Sequence, residues 1–142
     1  MNSVEIRILK SGEEAVLHRV ADGVFDEPVV EAWARQFLED PRHHLAVAVE
    51  DGCIVGFASA VDHYHPDKSV QLWINEVGVA PTHHRRGIGR RLMEALFDRG
   101  RALGCRLAWV GTEPDNQAAR GLYASLSGSA EPQPFVLYEF TL

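Results

Sequence analysis

At 142 residues, with 46% hydrophobic and 24% charged side chains, the chain has the make-up of one ordinary globular domain with a real core. Its formal net charge of -6 argues against general nucleic-acid binding, which needs a basic face, and is compatible with a cationic substrate. No apolar run approaches the length of a membrane span and the N-terminus lacks the apolar middle of a signal peptide, so a cytoplasmic protein without membrane attachment is expected.

Positions 4–9 alternate Val4, Ile6 and Ile8 with Glu5 and Arg7, which predicts a strand. Ser11, Gly12, Glu13 and Glu14 then open a helix by cap and dipole logic, expected to run to about Ala21. The acid-rich stretch 22–28 reads as a loop. Positions 29–38 read as a second helix with Val30, Ala34, Phe37 and Leu38 on one side and Pro41 as its stop. In "LAVAVEDGCIVGFASAV" two apolar runs flank Asp51-Gly52, which predicts a tight hairpin. A loop is expected over 62–68 and a long apolar strand over 70–80.

Pro81 and a basic glycine segment follow, and then a helix over 88–103, with Ile88, Leu92, Leu96 and Leu103 near one face and Gly104 at its end. Positions 107–110 read as a further buried strand, "PDN" at 114–116 starts a helix to about Leu126, and 135–142 closes the chain as a strand. The order β-α-α-β-β-β-α-β-α-β predicts an α/β fold around a mixed sheet. Cys53 and Cys105, far apart and each in an apolar run, read as buried thiols. His43-His44 and His63/His65 lack a sensibly spaced third ligand. They read as solvated loop residues, and no metal is expected.

The unusual stretch is "PTHHRRGIGRRL", in which six of the nine residues from His83 to Arg91 are basic. Arginines at a helix start oppose the helix dipole, so an anion is needed to make them favourable. After a strand, a glycine-rich turn into a helix exposes backbone N–H groups at the positive end of that dipole, a seat for phosphate. Gly87 and Gly89 let the backbone come close to a ligand, and Arg85, Arg86, Arg90 and Arg91 add charge. The bland alternative is a solvated basic helix start with glycines for packing. A Walker loop is absent, and Leu92 stands where a dinucleotide fingerprint needs glycine or alanine.

"VGVAPTHHRRGIGRRLMEAL" resembles the acyl-CoA signature of the GNAT (Gcn5-related N-acetyltransferase) superfamily. "NQAARGLYASLSG" resembles that superfamily's N-x-x-A-x-x-L-Y stretch through Asn116, Ala119, Leu122 and Tyr123. Two positions depart from the pattern: His84 replaces the usual Gln or Arg, and "SGSAEP" replaces the Gly-Phe after the tyrosine. The resemblance implies a single GNAT domain over residues 1–142, with a mixed, mostly antiparallel sheet flanked by helices. It also implies acetyl-CoA as cosubstrate and direct transfer to a primary amine.

On that resemblance Val77, Gly78 and Val79 lie along the pantetheine arm, with the Val79 N–H toward the thioester oxygen. His84, Arg85, Arg86, Gly87, Ile88, Gly89 and Arg90 hold the phosphates, with Asn116, Ala119 and Tyr123 further along the donor. Asn116 either touches the pantetheine or caps its helix. Tyr123 is the candidate acid for the departing thiolate. Glu76 is the candidate base, because a carboxylate inside an apolar strand is costly unless it is paired or faces a cleft. Within the superfamily the chain resembles type I aminoglycoside 3-N-acetyltransferases, through Glu76-Val77-Gly78-Val79, Tyr138-Glu139-Phe140 and the short ending. Asp26, Glu27, Glu76 and Glu139 would then receive the amines of a cationic sugar, as an antibiotic-resistance activity requires. A homodimer would follow family habit. The alternatives are a GNAT enzyme for a protein N-terminus, lysine or small metabolite amine, and a non-catalytic acyl-CoA sensor.

Overall fold

The computed structural model describes residues 3–142. Contacts divide the chain into two compact units, one ending at Gly111 and one beginning at Thr112.

The first unit is built on a five-stranded sheet whose spatial order is its chain order: β1 (Glu5–Ile8), β2 (His43–Glu50), β3 (Cys53–His63), β4 (Gln71–Val79) and β5 (Ala108–Val110). β1 to β4 pair antiparallel, and β5 joins β4 in parallel after the crossover helix α2 (Ile88–Ala102). Asp51 and Gly52 make the β2–β3 turn with φ of 51° and 74°, the two left-handed residues that a tight two-residue hairpin requires.

Each face of the sheet has its own helix. Leu45, Val47, Ile54 and Phe57 form a core with Leu17, Val24 and Leu38, packed by Ala34 and Phe37 of α1 (Glu31–Glu39). On the other side α2 buries Ile88, Leu92, Met93, Leu96 and Gly100. A Cβ on Gly56 would lie 3.2 Å from Ile88 Cγ2 and 3.3 Å from Leu92 Cδ1, so the absent side chain lets the helix settle close to β3. Gly104, at φ 89°, ends α2 as expected, and the next residue's N–H reaches back to the Gly100 carbonyl at 2.9 Å.

Several expectations are corrected. The first helix is only a short 3-10 turn, Glu14–His18. It stops because β3 claims the chain: Ile54 N–H donates to Arg19 O and Ala21 N–H to Ile54 O, both at 2.8 Å. His43 and His44 begin β2 rather than lying in a solvated loop. His44 is buried with its Nε2 2.7 Å from Asp62 Oδ1, so Asp62 and His63 also belong to a strand. Cys105 is buried as expected, whereas Cys53 is half-buried. β5 is the last strand of the sheet and is not buried, Trp109 being 49% exposed.

In the second unit α3 (Gln117–Ser125) forms where "PDN" predicts a helix, and the Asn116 Oδ1 accepts the Ala119 N–H at 3.0 Å. Residues 135–142 form no strand. Phe135, Val136, Leu137, Tyr138 and Phe140 are all at least 63% exposed, and alternation without a ladder partner does not make a strand.

Candidate active site

Glu76 and the three residues after it sit where β4 loses one neighbour. Ser59 of β3 lies opposite Glu76, but Ala60 lies opposite Ile74, so Asn75 is an extra residue in β4. This bulge explains the broken alternation of "QLWINEVGV": Asn75 and Glu76 are both exposed. β5 pairs only with Leu72, Trp73 and Ile74. Beyond them, among the described residues, β4 has a ladder on its β3 side alone. Ala80 N–H donates to Val55 O at 2.9 Å, which turns Ala80 and Gly78 toward β3 and the peptide groups of Val77 and Val79 away from it. The Val79 carbonyl accepts from His84 Nε2 at 2.9 Å, which fixes that imidazole as the donor. The Val79 N–H therefore faces the open side of the strand.

The basic turn follows directly. Pro81–His83 forms a 3-10 turn, Arg85 has φ 62° and Gly87 φ 75°. Gly87 caps α2 without a side-chain hydrogen bond. The first ladder bond runs from Arg91 N–H to Gly87 O at 3.1 Å, so Ile88, Gly89 and Arg90 present the N–H groups that a helix start leaves without intrahelical partners. The basic side chains are not all turned to this end. His83 and Arg86 meet Glu50 at 3.0 and 3.3 Å, His84 bonds to Val79, and Arg90 lies 3.7 Å from Glu94. Arg85 and Arg91 make no ion pair among the described residues.

Asp26 and Glu27 line a cavity of about 570 Å³ together with Glu14, Asp22 and Glu31. Asp22 belongs to the acid-rich loop expected over 22–28, whereas Glu14, which reads in sequence as part of a helix start, and Glu31, within the second predicted helix, carry no sequence signal for this cavity. The loop is fixed against the end of β4 and the turn that follows it. A Cβ on Gly23 would meet Pro81 Cδ at 2.8 Å, one on Gly78 would run into the Val24 carbonyl, and Phe25 stacks on Phe57 at 4.0 Å. Glu14 accepts from Arg35 at 3.2 Å, while its Oε2 is buried with no hydrogen-bond partner. Its own backbone N–H first, then Arg35, hold this carboxyl below the ordinary carboxylate range. Glu76 does not line this cavity. Among the described residues, no three His, Cys, Asp or Glu side chains group to hold a metal ion, and no helix is long and apolar enough to cross a membrane.

In the second unit Tyr123 is half-buried on α3, with its phenol pushed up by burial and then by the Glu113 carboxylate. Asn116 caps that helix through Ala119, the alternative that spacing had left open. Glu139 lies in the exposed stretch without a strand.

Residues 14–128 match the family model for the acetyltransferase (GNAT) family. The chain belongs to the GNAT family. With membership comes acetyl transfer from acetyl-CoA to an amine. It is 34% identical over 124 residues to the L-methionine sulfoximine/L-methionine sulfone acetyltransferase of Salmonella typhimurium, covering 84% of this chain and 71% of that one. The aminoglycoside N(6′)-acetyltransferase type 1 of the same organism is 30% identical over 101 residues, 67% of this chain and 69% of the relative. Two further curated matches span 63% and 66% of their relatives' lengths. Among solved structures, an aminoglycoside acetyltransferase from an uncultured soil metagenomic sample superposes with a TM-score of 0.78. It is 25% identical and covers 97% of this GNAT chain and 99% of that one.

Proposed function

We propose that this GNAT chain, acting as one domain over residues 1–142, acetylates a primary amine of a polycationic small molecule, with aminoglycosides as the best-fitting class. The observation that carries this reading is the cavity bordered by Asp22, Asp26 and Glu27, with Glu14 and Glu31 beside them paired to Arg35 at 3.2 and 3.3 Å. Several ammonium groups gain there from several carboxylates. An amino-acid acceptor would bring a carboxylate of its own into the same acidic surroundings, which disfavours the methionine-analogue chemistry named for one relative. The type I 3-N resemblance of the sequence suggests the 3-amino group as the target, whereas the named aminoglycoside relative acts at the 6′ nitrogen.

The chemistry is a direct transfer. The acceptor nitrogen attacks the thioester carbon, the C–N bond forms, and the carbon–sulfur bond breaks. The Val79 N–H stabilises the oxyanion, Glu76 takes the amine proton, directly or through water, and the Tyr123 phenol protonates the leaving thiolate. Val77 and Gly78 line the pantetheine arm, with Asn116 and Ala119 further along it. The turn from His84 to Arg90 seats the phosphates, and Glu139 adds to the acceptor acids. A cytoplasmic setting suits this use of acetyl-CoA. The exposed apolar side chains of 135–142 favour pairing of two copies, which sedimentation of the full chain tests. Release of coenzyme A thiol over a panel of amines tests the acceptor class. Nuclear magnetic resonance of the product then separates 3-amino from 6′-amino acetylation.

A further inference from the structure

One carboxylate outside the β4–α2 turn holds that turn at two points, and acetyl transfer itself does not call for it. Glu50 is the last residue of β2. Its Oε1 lies 3.0 Å from His83 Nε2, and its Oε2 accepts from Arg86 Nη2 at 3.3 Å. The other nitrogen of His83 is 2.8 Å from Thr82 Oγ1. This is not a loose surface pair, because the side chains of His83 and Glu50 are only 13% and 18% exposed. The hydrogen bond from His83 holds the Glu50 carboxyl below its ordinary range, with the charges of His83 and Arg86 adding to it.

Between the two anchors lie His84, tied to Val79 O, and Arg85 at φ 62°, a left-handed conformation that arginine rarely adopts. A strained residue persists only where its surroundings over-determine it. A carboxylate beside a seat for phosphates also repels the ligand, unless it is neutralised and has a positional role. At Glu50 His83 and Arg86 supply the neutralisation.

We propose that Glu50 is a positioning residue for the diphosphate of acetyl-CoA. By holding His83 and Arg86 together it fixes the left-handed Arg85 between them, and so sets the angle at which the first N–H groups of α2 are presented. The inference rests on the reading of this turn as the donor's phosphate seat.

The test compares two donors on the purified full chain: acetyl-CoA, and S-acetylpantetheine, which lacks the diphosphate and nucleotide. For Glu50→Gln the expected result is a rise of about tenfold in KM for acetyl-CoA, with kcat within about twofold and kcat/KM for S-acetylpantetheine unchanged. A tenfold change corresponds to about 1.4 kcal/mol, the scale of one charged hydrogen bond. His83→Leu removes the donor and breaks the same clamp from the other side. It should give the same donor-selective loss, and it stands in should Glu50→Gln fail to fold. An unchanged KM for acetyl-CoA, or an equal loss with both donors, would overturn the role of Glu50. A wild-type chain that uses both donors with the same KM would instead overturn the phosphate seat beneath it.

Discussion

The carbonyl oxygen of Val24 lies so close to Gly78 that a methyl group on Gly78 would overlap it. The acid-rich loop and β4 are thus packed backbone to backbone, and a second lock sets Gly23 against Pro81. Gly78→Ala should force the loop away, with the cost of an overpacked site, about 1–3 kcal/mol. Thermal unfolding should show a lower Tm, and KM for the amine should rise more than KM for acetyl-CoA. A variant as stable as the wild type, with wild-type KM values, would show that this contact yields freely.

Tyr123 carries a phenol raised above its usual 10.0, first by burial and then by Glu113. A raised phenol keeps its proton through neutral and mildly alkaline pH, the state an acid for thiolate needs. Any loss of activity due to its ionisation should therefore begin only above that ordinary value. Tyr123→Phe should lower kcat by about 10²-fold or more while leaving the KM for acetyl-CoA nearly unchanged. An unaltered kcat would remove Tyr123 as the acid.

Asp26 and Glu27 belong to the acidic border of the cavity. Replacing both by Asn and Gln should raise KM for a polycationic amine about tenfold at low salt, since each exposed pair contributes on the order of 1 kcal/mol. The effect should shrink as salt is added, and KM for acetyl-CoA should stay put. A salt-independent effect, or an equal effect on both substrates, would point to a folding defect.

Among the described residues, Glu14, Asp40 and Glu50 have carboxyls held below their ordinary values. Glu14 is held down by its own backbone N–H, Asp40 by the Arg42 backbone N–H, and Glu50 by His83. A depressed carboxyl contributes stability above its unfolded value, here 4.5, 3.8 and 4.5, and loses it as pH falls through the lower folded value. Melting temperature should accordingly be level near neutrality and fall once pH drops through and below this range, with Glu50→Gln falling less steeply. A Tm that does not change on acidification would contradict the assignment.

Local rules carried most of the first unit. Asp51-Gly52 named its turn because few residue pairs accept two left-handed conformations in succession, and Gly104 ended α2 for a related reason. The turn into α2 was legible because Gly87 accepts the left-handed conformation, φ 75°, from which the helix starts at Ile88. What could not be read was set by distant partners. The first helix stopped at His18 because Ile54 bonds to Arg19 and Ala21 from another strand. His44 looked solvated until Asp62, eighteen residues on, was brought against it. Glu14 and Glu31 came to border the cavity only through folding. The pairing of His83 and Arg86 with Glu50 was equally invisible, since Glu50 and Arg86 stand thirty-six positions apart.

Acetylation of a polycationic amine is tested most directly by release of coenzyme A thiol from acetyl-CoA. The acceptors are kanamycin-like and gentamicin-like aminoglycosides, simple polyamines, methionine analogues and peptides, each offered to the purified chain. The predicted result is the highest kcat/KM with an aminoglycoside, one acetyl group per product, and a strong decline when Asp26 and Glu27 are neutralised. Background rates with every aminoglycoside, alongside turnover of a peptide or an amino-acid analogue, would contradict it.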